Sequence, residues 1–343
     1  MKRIFTSFYF LYIFQVLLFN TAFSQEQKFA ELGDFKLKSG EYIRSCRIGY
    51  RTFGTLNKDK SNVVLMPTWA SGISEQLKSN VGPGRLVDSS KYFVIGVDAL
   101  CNGVSSSPSN STLQPKMSFP KITASDMVNS QYELLRTVFK LEHIKAVVGA
   151  SMGGMQAFQW MISYPDFMDK VIPIVGSPRL SPYDLVLHDL VIRSIMTDPV
   201  WNNGNYTESP ARVMEQEFYA LILTTPEDVN KNMQRENIIA ELEKAKGTKG
   251  FDANDKIRQT QAMMSLDISE NFGGSMEKAA GSVKAKTLII TSLKDRIVNP
   301  APAIEFGRML NTKVIELNND CGHLAPGCDA QLVSKSIADF LEQ

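Results

Sequence analysis

The sequence predicts an α/β fold, a mostly parallel sheet with helices on both faces and a helical insertion between two of its strands. Three observations predict it. Short β-branched runs alternate with amphipathic helical segments at both ends of the chain, the pattern of a parallel sheet with crossover helices. Strand signals vanish between residues 180 and 281, where helical segments dominate. One short apolar strand runs directly into Gly149-Ala150-Ser151-Met152-Gly153 and then into a helix. That junction is a sharp strand-to-helix turn with a serine at its tip.

In chain order, residues 1–24 stand apart. Lys2-Arg3 precede an apolar run over residues 4–19, and Ala22 and Ser24 are small residues at the −3 and −1 positions of a cleavage site before Gln25. This is the pattern of a secretory signal peptide, so a secreted or periplasmic protein is expected, with no stable membrane insertion after cleavage. Residues 29–37 and 42–52 alternate apolar and polar side chains around Ser39-Gly40, the signature of a β-hairpin. Strands follow at 63–66 and 92–97, then an amphipathic helix at 125–138 with Ser125 as its N-cap. The elbow strand, a helix at 152–164 and a strand at 171–175 come next. Within the insertion, helices are expected at 185–196, 213–223, 238–246 and 257–264. Strands resume at 287–290 and 314–317, each leading into a helix, 303–310 and 331–341. The organisation is thus a signal segment (1–24), a core built from 25–179 and 282–343, and an insertion over 180–281.

Composition bounds the function. The 343 residues are 43% hydrophobic and 21% charged, an ordinary globular balance. Net charge is +1, and removing the first 24 residues, with Lys2 and Arg3 and no acid, leaves −1. No nucleic-acid partner is expected of such a surface. Three histidines, four cysteines and no C-x-x-C or H-E-x-x-H motif argue against a dedicated metal site, and no cofactor is implied. Cys321 and Cys328 straddle His323 and are near enough in sequence to bridge; a disulfide and free buried thiols both remain open.

A G-x-S-x-G pattern arises by chance about 0.1 times in a chain of this length, so its strand and helix flanks matter more than the motif. Glycines two residues either side of Ser151 remove Cβ atoms that would collide in so tight a turn. Two later strands end in Ser292-Leu293-Lys294-Asp295 and in Asn318-Asn319-Asp320-Cys321-Gly322-His323. The chain order Ser151, Asp295, His323 is that of a nucleophile, acid and base at the carboxyl ends of sheet strands. His143 precedes the elbow strand and reads as a surface residue, and His188, inside the insertion, as a lid or core histidine. Asp320 competes with Asp295 as the acid, but three positions from His323 it is poorly placed to orient the ring. Acyl transfer also needs donors for a developing oxyanion. The amide of Met152 is one, and the segment Thr68-Trp69-Ala70-Ser71 after the first parallel strand supplies the other, Ala70 favoured over Trp69.

With these residues in place the chain resembles the α/β-hydrolase superfamily and, more narrowly, the homoserine O-acetyltransferase family. Carrying the resemblance are Tyr50-Arg51-Thr52-Phe53-Gly54-Thr55-Leu56-Asn57, Gly82-Pro83-Gly84-Arg85, Phe119-Pro120-Lys121-Ile122-Thr123, the elbow, and Arg193-Ser194-Ile195-Met196-Thr197-Asp198-Pro199-Val200-Trp201 in the insertion. The resemblance implies an α/β-hydrolase fold with a helical lid, homodimers packed through that lid, and an acyl-enzyme on Ser151. It also implies three departures. Leu324 stands where an acid would hold the amine of homoserine, Phe218 where a lid arginine would hold its carboxylate, and Leu223-Thr224-Thr225 lacks an expected tyrosine. With Trp69, Leu324 and Phe218 on its wall, the substrate pocket is expected to be apolar, since a buried zwitterion would leave both charges unpaired. The reading is therefore hydrolysis of a small-molecule acyl ester, with O-acyl transfer to an alcohol or amine second. A non-catalytic binding module on the same fold is third.

Overall fold

The computed structural model describes residues 26–210, 213–240 and 250–343. The signal segment and most of the helix expected at 238–246 lie outside the described residues.

Eight strands form one sheet in the order β1-β2-β4-β3-β5-β6-β7-β8: β1 Lys28–Lys36, β2 Tyr42–Phe53, β3 Val63–Pro67, β4 Phe93–Val97, β5 Ile144–Ala150, β6 Met168–Ile174, β7 Lys286–Ser292 and β8 Lys313–Leu317. The β1–β2 and β2–β4 pairings are antiparallel and all others parallel. The hairpin therefore lies at one edge, and β3 and β5 at the centre. Residues of β3 and β5 are buried on both faces, which explains their unbroken apolar runs. Val63, Leu65 and Val147 join one core with helices α1 (Ala124–Thr137) and α2 (Met152–Ser163). Val64, Met66, Ala146 and Val148 join the opposite core with Val333, Ile337 and Leu341 of the last helix, Ala330–Glu342. Lys170 of β6 donates to the carbonyls of Phe340 and Leu341, capping the end of that helix.

Helix α1 begins earlier than the sequence suggests. Thr123, not Ser125, is the N-cap: its Oγ1 accepts from the Asp126 amide while the Asp126 carboxylate accepts from the Thr123 amide. The other Asp126 oxygen accepts from the Lys38 amide at 2.7 Å, so one side chain ties the edge hairpin to the helix layer.

Between β6 and β7 lie α3 (Pro182–Met196), α4 (Val213–Ile222), α5 (Pro226–Asn232), α6 (Ala253–Met264) and α7 (Met276–Ser282). They are not equivalent. Helix α6 is buried along nearly its whole length. Its Arg258 donates to the carbonyls of Met117 and Phe119, and its Asp255 accepts from the amide and hydroxyl of Ser109. Helix α3 instead leaves Tyr183, Val186, Leu190 and Met196 exposed. Among the described residues no helix is long and apolar enough to cross a membrane.

Candidate active site

Ser151 sits where β5 meets α2 with φ 55° and ψ −121°, a region costing a non-glycine residue about 1–3 kcal/mol. The surrounding packing holds it there. A Cβ on Gly149 would lie 2.1 Å from the Gly153 carbonyl oxygen, and one on Gly153 would lie 2.5 Å from that of Pro67. Neither clash can relax, because both partners are backbone, so the elbow requires both glycines. The Ser151 amide donates to Ile174 at 2.9 Å, which fixes the turn to β6.

The loop after β8 brings His323 over this serine. His323 Nε2 lies 2.9 Å from Ser151 Oγ, and Nδ1 lies 2.6 Å from Asp295 Oδ2. With Nδ1–H donating to the carboxylate, Nε2 is left as acceptor for the serine hydroxyl. Asp295 is fixed in turn, its Oδ1 accepting from the amides of Ile297 and Val298 at 2.8 and 2.9 Å. The Asp295 side chain is 1% exposed and that of His323 10%, so the pair is screened from solvent. Asp320 points elsewhere and binds Lys294 at 2.7 Å. His143 is a half-exposed residue held by the Asp166 carbonyl and by Asp169.

The His323 loop is braced at both ends. Cys321 and Cys328 form a disulfide with Cα atoms 6.6 Å apart, and the His323 amide donates to Leu223 at 2.9 Å. Cys46 and Cys101 are buried free thiols; burial pushes Cys46 up to about 12 and Cys101 well above the ordinary thiol range.

Met152 is the first residue of α2, and its amide has no acceptor within the helix. Ala70 faces the same space from the loop after β3, in a tight turn closed by the Gly72 amide donating to Trp69 at 3.0 Å. Ser151, His323 and Ala70 share the wall of a cavity of about 1020 Å³ with Trp69, Met155, Val175, Leu223, Met263, Ile297 and Leu324. Phe218 is not on that wall. It packs edge-on against Tyr219, and it is Tyr219 that lines the cavity.

Other residues complete this wall and its supports: Lys256, Gln156 and Gln131 carried no signal in the sequence, while His188 stands in the insertion where a lid or core histidine is expected. Lys256 of α6 is buried in the wall, its Nζ 3.4 Å from Glu215 Oε1 and from Ser71 Oγ and 4.9 Å from the centre of the Tyr219 ring. His188 of α3 is also part of the wall, and neither ring nitrogen has a hydrogen-bond partner among the described residues. Burial, with Lys256 and His323 nearby, pulls it down to about 4. Beneath the elbow, buried Gln156 and Gln131 join Thr68, Met152 and Trp160 in one hydrogen-bonded chain. Among the described residues no group of three or more His, Cys, Asp or Glu side chains is arranged to hold a metal ion.

Comparison with known proteins agrees with this fold. A family model described as the alpha/beta hydrolase fold matches residues 63–326. An ethyl acetate hydrolase of Pseudomonas veronii is 31% identical over 329 residues, covering 91% of this chain and 93% of its own. A homoserine O-acetyltransferase of Methanosalsum zhilinae is also 31% identical, covering 90% of this chain and 71% of its own. The crystal structure of an acetylester hydrolase from Corynebacterium glutamicum superimposes with a TM-score of 0.86 at 26% identity, covering 93% of this chain and 96% of that one.

Proposed function

The chain belongs to the α/β-hydrolase family, in its homoserine O-acetyltransferase-like type, and from that premise we propose that it hydrolyses acyl esters through an acyl-enzyme on Ser151. The observation that carries this reading is the unbroken hydrogen-bonded chain from Ser151 Oγ through His323 to Asp295. In the proposed reaction the serine oxygen attacks the ester carbonyl as Nε2 takes its proton. Asp295 holds the opposite nitrogen and stabilises the imidazolium. The amides of Met152 and Ala70 receive the oxyanion. Collapse of the tetrahedral species expels the alcohol with the proton from Nε2. Water, activated by the same nitrogen, then releases the acid and restores Ser151.

Water is favoured over an amino-alcohol acceptor because, among the described residues, no carboxylate stands on the cavity wall. Leu324 and the other apolar side chains there offer a substrate ammonium nothing to pair with, and a buried unpaired charge costs several kcal/mol. Relatives named as an ethyl acetate hydrolase and an acetylester hydrolase support a short acyl group. The similarity to a homoserine O-acetyltransferase keeps acyl transfer as the second reading.

The deciding measurement is turnover of esters of graded acyl length by the mature protein, with and without alcohols, homoserine and acetyl-CoA. Acyl groups going mainly to water support the hydrolase; an acceptor that raises turnover and captures most of the acyl group supports transfer instead. A protein that folds yet is not labelled on Ser151 by a fluorophosphonate would point to the non-catalytic reading.

Two further parts of the proposal concern the whole protein. Export is supported by the pattern of residues 1–24 and by the Cys321–Cys328 bridge, a pairing suited to an oxidising compartment. Pairing of two copies through the lid is supported by Val186, Leu190 and Met196, which leave the outer face of α3 apolar. Sedimentation of a Leu190→Glu variant as monomer, against a wild-type dimer, is the expected result.

A further inference from the structure

Helix α4 puts Tyr219 on the cavity wall and turns one face toward α6. Among its described residues only Glu215 and Ile222 are buried, so a charged side chain is one of the two that seat it. Glu215 and Tyr219 lie one turn apart on the same face. Lys256 of α6 meets both: its Nζ is 3.4 Å from Glu215 Oε1 and 4.9 Å from the centre of the Tyr219 ring. Helix α6 is the fixed member of this contact, because Asp255 and Arg258 anchor it to residues 109–119.

The same helix reaches the catalytic loop. The Leu223 amide donates to the Tyr219 carbonyl at 2.9 Å, so Leu223 rides on the turn that Lys256 grips. The Leu223 carbonyl accepts from the His323 amide at 2.9 Å, and the Thr225 amide donates to the Asp320 carbonyl at 3.1 Å. The two backbones lie flush: Gly322 has φ 58°, and a Cβ there would sit 2.9 Å from Thr224 Cα. The N–H that Leu223 holds belongs to the Gly322–His323 peptide, which immediately precedes the His323 Cα. The peptide that follows this Cα is held from within the loop, the Leu324 amide donating to the Cys321 carbonyl at 2.9 Å. The Cα that bears the imidazole is therefore fixed on one side by α4 and on the other by a residue of the Cys321–Cys328 bridge.

We propose that Lys256 and Glu215 are positioning residues for His323, seating α4 so that its Leu223 carbonyl keeps the base over Ser151. The inference rests on the reading of Ser151 as nucleophile and His323 as base. It gives the lid a part in placing the catalytic group, besides enclosing the substrate.

The test uses the full mature chain and two readouts, the second-order rate of Ser151 labelling by a fluorophosphonate and kcat and KM for an acetate ester. Lys256→Met and Glu215→Gln each remove one charge of the pair and leave the other buried. Each is expected to lower labelling and kcat together by about 10- to 100-fold with KM within about threefold, the scale of a misplaced catalytic group. The double variant removes both charges and is expected to be at least about fivefold faster than the slower single variant. A contact between Lys256 and the substrate predicts no such recovery. Reduction of the Cys321–Cys328 bridge by dithiothreitol should cost folded Lys256→Met a factor at least about threefold larger than it costs wild type, because both peptides flanking the His323 Cα are then loose. If Lys256→Met does not fold, Glu215→Gln and the double variant carry the same comparisons. Labelling within about twofold of wild type in either folded single variant, a loss confined to KM, a double variant no faster than the slower single, or an equal cost of reduction in variant and wild type overturns the inference. Wild type that is labelled but hydrolyses no ester overturns the hydrolase reading alone, since labelling still reports on His323. Wild type that is not labelled overturns both.

Discussion

Gln156, one turn into the helix that follows Ser151, reaches back with its side-chain amide to the Thr68 carbonyl at 3.2 Å. The same nitrogen donates to the Met152 carbonyl at 3.1 Å, so one buried side chain joins the two segments whose amides are proposed to receive the oxyanion. Gln131 closes the chain, donating to Gln156 at 2.5 Å and accepting from the Trp160 indole at 2.8 Å.

Gln156→Leu should therefore lower kcat by roughly tenfold or more with little change in KM, because only transition-state contacts are loosened. Stability should also fall by about 1–3 kcal/mol, since Gln131 is left buried without its acceptor. Steady-state kinetics beside urea denaturation would show both. A variant losing stability alone would mean that Gln156 is merely a packing residue.

Asp295 and Asp320 make a sharper pair. Asp295→Asn keeps an oxygen for the Ile297 and Val298 amides but can present an NH₂ to His323 Nδ1, favouring the wrong tautomer. A fall in kcat of roughly 10⁴ is expected, as for a triad that loses its acid. Asp320→Asn breaks only an exposed bond to Lys294 and should leave kcat within about twofold. Comparable losses in the two variants would remove Asp295 from the mechanism.

What was legible in the sequence is what leaves a local mark. The elbow shows because two backbone clashes admit only glycine at 149 and 153, and the order Ser151, Asp295, His323 follows from strand succession. Those three side chains do meet within hydrogen-bond distance. The disulfide stayed open because pairing depends on a Cα separation that only the folded loop sets. Helix phase was legible only approximately: α1 is capped two residues early by Thr123, and α4 turns Tyr219 rather than Phe218 to the cavity. Gln156 left no mark, since a glutamine carries no periodic signal and its loop partner lies 88 positions away.

The Cys321–Cys328 bridge encloses His323 and Leu324, and Cys328 itself reaches the cavity wall. Replacing both cysteines by serine should cost roughly 2–3 kcal/mol for so short a loop. It should also lower kcat several-fold by freeing the imidazole. Treatment of wild type with dithiothreitol should reproduce the loss, while the buried Cys46 and Cys101 take no part. Full activity after verified reduction would show that the loop holds His323 without the bridge.

His188 supplies the pH test. Burial lowers it from an ordinary 6.5 to about 4, so between those values the unfolded chain binds a proton that the folded chain does not. Stability from this group is present above pH 6.5 and is lost as pH falls through 4. Asp255 acts in the opposite sense: burial and Asp252 raise it to about 7, so its contribution weakens as pH rises. The wild-type profile alone mixes the two, and the comparison must be with a variant lacking only the imidazole. Relative to wild type, His188→Leu should gain roughly 2 kcal/mol between pH 7 and pH 5, read from urea denaturation at both values. Parallel profiles across that range would mean that His188 takes up its proton in the folded protein as readily as in the unfolded one, and so has found a partner in the cavity.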